Sequence, residues 1–186
     1  MRVIAGSARG TRLVAPRGMV TRPTADRVRE ALFSIIQSRH ELDGMQVLDI
    51  CAGTGGFGIE ALSRGALSCC FIEKDREALK CLRQNLQAAH CAERATLLEM
   101  DLQGALPLLA GRGRCFSIIF FDPPYASELY LPVAHKISST GLLAPEGLFI
   151  AESAARTILP DRMENLVKID RRVYGDTALE MYILGE

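Results

Sequence analysis

A short apolar strand, followed at once by a glycine-rich loop and a helix, constrains this chain more than any other feature of its sequence. Residues 47–50 are apolar except for Asp49, glycines occupy positions 53, 55, 56 and 58, and residues 57–64 have helical character. A loop of this kind is typical of doubly wound parallel sheets, in which ligands bind at the carboxyl ends of the strands. The sequence therefore predicts an α/β, Rossmann-like fold with a ligand site beside the loop.

The rest of the chain continues the alternation of strands and helices. Helices are predicted over residues 75–89 and 128–139. Further strands are predicted over residues 68–73, 96–100, 118–121, 147–152, 166–173 and 179–184. Repeated β-α units indicate a parallel sheet covered by helices on both faces. Because no helix separates the last two strands, we expect a mostly parallel seven-stranded sheet with an antiparallel strand at one edge.

A segment of different character precedes this fold. Two apolar stretches, residues 3–5 and 13–15, flank a turn-prone stretch, which predicts a β-hairpin. Proline and glycine then break the chain, and apolar residues at helical spacing predict an amphipathic helix over residues 25–39. The sequence is therefore divided into an N-terminal hairpin arm, residues 1–23, and one folded domain, residues 24–186.

The charges are unevenly distributed although the formal net charge is zero. Residues 1–29 contain seven arginines and one acidic residue, Asp26, which leaves 15 basic and 21 acidic residues for the rest of the chain. Arginine forms bidentate contacts with phosphate and stacks on bases. We therefore favour contact with nucleic acid over a merely solvated hairpin, and we expect Arg9, Arg12 and Arg22 to contact phosphates.

Composition excludes several other classes of protein. A chain of 186 residues with 48% hydrophobic and 24% charged residues is typical of one packed domain rather than a disordered protein. It has no apolar run of about 18 residues and no secretory signal at its start. The six cysteines show no C-x-x-C spacing, and the three histidines are isolated from them. We therefore expect a monomeric cytoplasmic protein without a metal site.

The glycine-rich loop fits two kinds of ligand. Glycines 53, 55 and 58 match G-x-G-x-x-G, and Glu73 follows about 20 residues later, as in nicotinamide-dependent enzymes. Asp49, however, lies where such enzymes normally have an apolar residue. The pattern Asp49-x-x-x-Gly53-x-Gly55 is similar to the first motif of S-adenosylmethionine-dependent methyltransferases.

The chemistry of that methyl donor agrees with the residues at the predicted strand ends. Gly53 and Gly55 let the backbone approach a ligand closely. Asp49 favours the donor's amino and sulfonium groups, and Glu73 can accept hydrogen bonds from both ribose hydroxyls. Asp101, which follows the third strand, can accept one from the adenine amino group. The sequence therefore predicts that S-adenosylmethionine binds here, without a metal.

The fourth strand leads directly into Asp122-Pro123-Pro124-Tyr125. This tetrapeptide resembles the (Asp/Asn)-Pro-Pro-(Tyr/Phe) signature of enzymes that methylate amino groups. A doubly wound sheet would place it beside the loop at Gly53–Gly55. Asp122 and the Pro123 carbonyl can accept hydrogen bonds from an exocyclic amine, and Tyr125 can stack on the base. We predict that these four residues form the catalytic motif.

The chain as a whole resembles the bacterial enzymes that methylate the N2 amino group of one guanine in 16S ribosomal RNA. The matching stretches are 4–6, 9–10, 22–24, 26–33, 49–58, 60–66, 122–125 and 174–177. The resemblance implies a class I methyltransferase fold, an N-terminal hairpin that assists RNA binding, S-adenosylhomocysteine as product, and a substrate close to the assembled small subunit. Cys51 and Phe57 depart from the residues usual in this family.

Other interpretations stay open at the level of sequence. The Asp-Pro-Pro-Tyr motif does not distinguish guanine from adenine or cytosine in DNA, although 186 residues leave no room for a target-recognition domain. A nicotinamide oxidoreductase and a catalytically silent RNA-binding assembly factor are further alternatives. Tyr174 and Thr177 could line the RNA site or shape a turn. The sequence does not decide between naked RNA and an assembled subunit as substrate.

Overall fold

The structure, a computed structural model, describes residues 1–16, 23–124 and 128–185, without the side chains of residues 23–25. Arg22 and Tyr125 lie outside the described residues. The helices are α1 (Pro23–Arg39), α2 (Gly56–Ser63), α3 (Arg76–Ala88), α4 (Leu102–Gly111) and α5 (Tyr130–Thr140). The strands are β1 (Gln46–Ile50), β2 (Ser68–Glu73), β3 (Ala95–Glu99), β4 (Phe116–Phe121), β5 (Leu143–Ala154), β6 (Arg162–Met163), β7 (Leu166–Tyr174) and β8 (Thr177–Leu184).

All eight strands form one sheet in the order β3-β2-β1-β4-β5-β8-β7-β6. The first five are parallel, whereas β8 is antiparallel to both β5 and β7. The predicted fold class is confirmed, including the antiparallel pair formed by the last two strands. The predicted count of seven strands is wrong for the described residues, because the two-residue strand β6 extends the edge.

The chain reverses its strand order at β1, which pairs with β2 on one side and with β4 on the other. The apolar residues of β1 alternate between two cores, with Val47 in one and Leu48 in the other. Helices α1, α2 and α3 cover the first core, and α4 and α5 cover the second. This reversal opens a crevice at the carboxyl ends of β1 and β4.

Residues 1–16 are packed against this sheet rather than projecting from it. An isolated antiparallel bridge pairs Arg2 with Arg12, so the predicted hairpin has a single bridge instead of two paired strands. Val3 and Leu13 are buried in the core shared with α1, α2 and α3. Hence the described part of the predicted arm shares the hydrophobic core of the predicted domain.

Glu60, fully buried in α2, attaches this segment to the sheet. Its carboxylate accepts hydrogen bonds from the backbone N–H groups of Ile4 (2.8 Å) and Ala5 (3.0 Å). Arg64, the residue that follows α2, donates to it through Nε at 2.7 Å. A buried carboxylate is stabilised by such partners.

Among the described residues, no helix is both long and apolar enough to cross a bilayer. The described residues also contain no group of three or more histidine, cysteine, aspartate or glutamate side chains placed to hold a metal ion.

Candidate active site

Five carboxylates lie at or near the carboxyl ends of the five parallel strands, and all of them line one cavity of about 870 Å³. They are Asp49, Glu73, Asp101, Asp122 and Glu152. The carboxyl ends of parallel strands lie at the same edge of a sheet, so residues distant in sequence meet there. The structure thus brings together the four carboxylates predicted from the sequence and adds Glu152, which was not predicted as a site residue.

The glycine-rich loop is held by two of these carboxylates. Asp49 Oδ2 accepts a hydrogen bond from the Gly58 N–H at 3.0 Å, and Glu73 Oε2 accepts one from the Gly53 N–H at 2.7 Å. Gly53 and Gly55 have φ angles of 55° and 82°, in the left-handed region that favours glycine. At Gly55 a Cβ would also lie 2.3 Å from Leu82 Cδ1, so the loop packs directly on α3.

Asp49 is 2% exposed, and its burial raises the pKa of the carboxyl to about 7. The hydrogen bond from Gly58 opposes this shift, and the negative charges of Asp122 and Glu73 add to it. The protein therefore keeps a carboxyl beneath the loop where its ionised form is poorly solvated. Such an arrangement favours the binding of a cationic ligand.

Glu73 and Asp101 lie at the outer end of the cavity. The second oxygen of Glu73 accepts hydrogen bonds from the N–H groups of Lys74 and Asp75, both at 2.8 Å. Asp101 is bonded to Lys74 Nζ at 2.8 Å, and this bond lowers the pKa of its carboxyl. Asp101 also accepts from the Gln103 N–H and so caps α4.

Asp122 lies on the other side of the loop, directly after β4. Its N–H donates to the Ile50 carbonyl at 3.3 Å, so the chain stays paired with β1 where the Asp-Pro-Pro motif begins. The Asp122 side chain opens into the cavity, Pro123 is buried, and Pro124 is exposed. Desolvation by the surrounding protein raises the pKa of Asp122 to about 7. The predicted proximity of Asp122 to the glycine-rich loop is observed.

Stacked aromatic rings form an apolar wall of the cavity. The Phe57 and Phe120 rings stack with centroids 4.2 Å apart, and Phe33 of α1 stacks on Phe57 at 5.1 Å. Phe57 is one of the two positions that depart from the residues usual in the resembling family. Its ring belongs to the core between α1 and the sheet, so it supports the cavity wall.

Arg29 of α1 also borders the cavity, although sequence reasoning did not select it. Its Nη2 donates to the Arg2 carbonyl (2.6 Å) and to Asp26 Oδ1 (3.0 Å). Its Nε lies 3.7 Å from Glu60 and has no hydrogen-bond partner among the described atoms. The only sequence signal for Arg29 is its position three residues after Asp26, where a helical ion pair forms.

The predicted phosphate contacts lie at the surface. Arg9 and Arg12 are exposed. Arg2, Arg9 and Arg27 line a second, polar cavity of about 390 Å³, together with Asp26 and Glu30. Arginines of the N-terminal segment and of α1 therefore line the same surface cavity.

Of the two C-terminal residues whose roles were open, Thr177 lines the main cavity with Gly175 and Asp176. Tyr174 packs against the core shared with α1, α2 and α3. The turn between β7 and β8 therefore borders the site, and Tyr174 supports that turn from the side of the core.

An open sheet with this strand order, a glycine-rich loop after its first strand and an Asp-Pro-Pro motif after its fourth has the fold of a class I methyltransferase. The chain matches the family described as Conserved hypothetical protein 95 over residues 1–183. It belongs to this family, which is also the family of ribosomal RNA small subunit methyltransferase D. The family predicted from the sequence is confirmed.

Two curated relatives match almost the whole chain. YlbH of Bacillus subtilis strain 168, named as a candidate rRNA methyltransferase, is 37% identical over 98% of both chains. Ribosomal RNA small subunit methyltransferase D of Escherichia coli K12 is 35% identical over 98% of this chain and 89% of that protein.

Solved structures agree with this relationship. A protein of Thermus thermophilus, described as hypothetical, is 31% identical with a TM-score of 0.85 over 99% of both chains. SMU.776, solved in complex with SAH, has a TM-score of 0.69 at 15% identity over 88% of this chain and 50% of that chain. The second likeness concerns the fold alone.

Proposed function

We propose that this protein transfers a methyl group from S-adenosylmethionine to the exocyclic N2 amino group of a guanine in 16S ribosomal RNA. The observation that carries the proposal is the convergence of four predicted carboxylates and the Asp-Pro-Pro motif on one cavity beside the glycine-rich loop. The relative from Escherichia coli is named for methylation of small-subunit ribosomal RNA, which supports this class of substrate.

The cavity has room and charge suited to the methyl donor. A Cβ at Gly53 would meet no atom within 4 Å, so the loop faces open space there. Asp49, beneath the loop, is assigned to the donor's amino and sulfonium groups, and Gly53 and Gly55 allow the donor to approach the backbone closely. Glu73 is assigned to the ribose hydroxyls and Asp101 to the adenine amino group. When bound, S-adenosylmethionine supplies a methyl group on a positively charged sulfur.

Arg29 supplies a positive group to the cavity that Asp49 also lines. Its Nη1 lies 3.4 Å from the point where a Cβ on Gly56 would stand, at the start of α2. We assign Arg29 and the N-terminus of α2 to the carboxylate of the donor's amino acid part, because both favour an anion.

Asp122 and the Pro123 carbonyl act on the nitrogen that receives the methyl group. The lone pair of an exocyclic amine is delocalised into the base, so the nitrogen must become more tetrahedral before it attacks. Two acceptors that hold the two N–H bonds favour that geometry. Pro123 and Pro124 restrict the backbone that presents these acceptors, and Tyr125 stacks on the base. The remaining acceleration comes from holding both reactants at attack distance.

The product amine carries a positive charge until it loses a proton. Asp122, with a pKa raised to about 7, is suited to accept that proton and release it to water. No residue of the chain needs to form a covalent intermediate.

The arginines of the N-terminal segment are assigned to the RNA backbone. Arg9 and Arg12 are exposed on the segment that Glu60 attaches to α2, and Arg22 belongs to the same basic stretch. A base inside a duplex would have to be flipped out to reach Asp122. We infer that the substrate is the small subunit or a late assembly intermediate.

The decisive experiment measures methyl transfer from labelled S-adenosylmethionine to under-methylated small subunits, naked 16S RNA and duplex DNA. We expect the label in N2-methylguanosine from subunits or RNA, and we expect Asp122→Ala to abolish it while donor binding persists. Label in DNA adenine or cytosine would overturn the substrate. Donor binding without label in any sample would favour a silent assembly factor.

A further inference from the structure

Glu152 is the fifth carboxylate of the cavity, and neither donor binding nor the holding of the amine involves it. It lies near the carboxyl end of β5, is half-buried, and lines the cavity together with Asp122. β4 and β5 are parallel neighbours in which Phe121 is in register with Ala151. Asp122 and Glu152, which directly follow these two residues, therefore lie side by side on adjacent strands.

The alternation of side chains places both carboxylates on the same face of the sheet. Phe121 and Ala151 belong to the core under α4 and α5, whereas Phe120 and Ile150 belong to the core under α1 and α2. Successive side chains of a strand point to opposite faces, so Asp122 and Glu152 share the face of Phe120. This is the face on which Asp49 and the glycine-rich loop lie.

The backbone at Glu152 is held from two sides. The Tyr130 hydroxyl donates to the Glu152 carbonyl at 2.9 Å, and Glu152 is in register with Leu179 of β8. Positions held within a sheet are more precisely oriented than positions on a loop. The backbone that carries the Glu152 side chain therefore has a fixed position beside Asp122.

We propose that Glu152 accepts a hydrogen bond from the ring N1–H of the guanine whose exocyclic amine Asp122 holds, and that this contact selects guanine over adenine and cytosine. The inference rests on the proposed function. Glu152 is thus a specificity-determining residue of the same site.

The chemistry of the bases supports this assignment. Guanine presents its N1–H beside the N2 amine, so two neighbouring donors face the site. Adenine and cytosine each present a ring nitrogen with a lone pair beside their amine. Neighbouring strands are about 4.8 Å apart, so carboxylates in register on them can reach two adjacent donors. An ionised carboxylate only accepts hydrogen bonds, and it therefore repels a ring lone pair.

The electrostatics of the two carboxylates make the selection depend on pH. Burial, together with the charge of Asp122, raises the pKa of Glu152 to about 8. Two carboxylates close together resist joint ionisation, so part of Glu152 is protonated at neutral pH and can then donate to a ring lone pair. Guanine offers donors to both carboxylates and so stabilises the ionised pair on binding, whereas a base with one donor and one lone pair does not. The preference for guanine should therefore increase as the pH rises toward about 8.5.

The test compares guanine with 2-aminopurine at the target position of the RNA substrate. 2-Aminopurine keeps the 2-amino group but has a lone pair at N1. At about pH 8.5, where most of Glu152 is ionised, we expect wild-type kcat/KM to favour guanine by about 100-fold or more, since a site built for a hydrogen bond strongly rejects an analogue without it. In Glu152→Gln the amide can donate or accept, so the preference should fall to about 10-fold or less.

Glu146→Gln, at an exposed position near the start of β5, is the matched control and should keep the wild-type preference. The missing 6-oxygen of 2-aminopurine affects both proteins equally and cancels in the comparison. If Glu152→Gln is too slow for kinetics, competition binding of the two RNAs measures the preference at the binding step, and it should fall in the same direction. An unchanged ratio in a variant that binds the donor overturns the role of Glu152. Absence of guanine-N2 methylation by the wild type would instead overturn the proposed function.

Discussion

At the scale of single residues, the protonation of Asp122 controls the proposed chemistry. Only the ionised carboxylate offers all its oxygen lone pairs to the amine, and desolvation raises the pKa of Asp122 to about 7. Lowering the pH through this value protonates the acceptor. We therefore expect kcat/KM to rise with pH between about 6 and 8.

Asp122→Asn tests the same residue, because asparagine keeps one acceptor oxygen and does not titrate. The other charged residues that line the cavity are Arg29, Asp49, Glu73, Lys74, Asp101, Glu152 and Asp176. Removing the charge of Asp122 lowers the pKa of Glu152, which that charge raises. The variant should therefore retain methylation, with its pH profile displaced to lower pH. Identical profiles in the two proteins would contradict a role for the Asp122 charge.

The burial of Asp49 lowers the stability of the folded protein when its carboxyl is ionised. Its pKa is raised from 3.8 to about 7, so the native protein retains a proton that the unfolded chain releases between these values. The free energy of unfolding should therefore fall as the pH rises from about 4 to 7. Asp49→Asn removes the buried charge and keeps an oxygen for the Gly58 N–H.

We expect Asp49→Asn to stabilise the unliganded protein by about 1–3 kcal/mol at pH 8 and to weaken S-adenosylmethionine binding. Urea denaturation and calorimetric titration measure the two effects. Asp43→Asn, at an exposed position before β1, is the control and should change neither. A variant less stable than the wild type at pH 8 would show that Asp49 is stabilising as a charge.

Sequence reasoning selected those residues of the cavity whose position follows from a strand end. Asp49, Glu73, Asp101 and Asp122 each lie at or next to the end of an apolar strand, and parallel strands end at one edge. Arg29 was missed because its place in the site depends on Glu60 and on the carbonyl of Arg2, which periodicity does not contain. Glu152 ended the predicted fifth strand, residues 147–152, so the same strand-end argument could have selected it although β5 continues to Ala154.

At the scale of elements, α4 was the main omission. Leu102, Ala105, Leu106 and Leu109 have the spacing of a buried helix face and are all buried, and Asp101 caps the helix. Gly104 and Pro107 weigh against a helix in any estimate from local propensity. Packing against the sheet decided the outcome, as it does for most short helices. The other helices and six of the strands were predicted to within two residues at each end, and β5 begins four residues earlier than predicted.

The Glu60 side chain alone joins three partners, because it connects α2 to the backbone of the N-terminal segment and to Arg64. Replacing it therefore tests how these elements are held together. Glu60→Ala would leave the N–H groups of Ile4 and Ala5 and the guanidinium of Arg64 without this acceptor. Removing one partner of a buried ionic network costs about 3–5 kcal/mol. Residues 1–16 should also detach locally, so trypsin should cleave at Arg9 and Arg12 faster than in the wild type.

Glu146→Ala is the matched control, since Glu146 is an exposed glutamate near the start of β5 that lines neither cavity. It should change the free energy of unfolding by about 0.5 kcal/mol or less and leave the cleavage rate unaltered. If Glu60→Ala behaved like this control, the N-terminal segment would be held by its apolar contacts alone.

At the scale of the whole molecule, the basic and acidic residues that are separated in the sequence line mostly different cavities of the structure. The main cavity opens at the carboxyl ends of the strands, and its strand-end residues are acidic. Arg29 borders this cavity, and the second cavity, lined by Arg2, Arg9 and Arg27, shares α1 with it. A negatively charged RNA held by the arginines would therefore extend toward a cavity whose carboxylates are suited to base donors and to a cationic cofactor.

The salt dependence of RNA binding tests this arrangement. Each phosphate contact releases counterions, so Arg9→Ala, Arg12→Ala and Arg22→Ala should each weaken binding and reduce the slope of log Kobs against log salt by about 0.7–0.9. Arg112→Ala is the control, because Arg112 follows α4 and precedes β4, at the amino ends of the strands. Its slope should match the wild type. Equal slopes in all four variants would mean that RNA approaches the cavity without contacting these arginines.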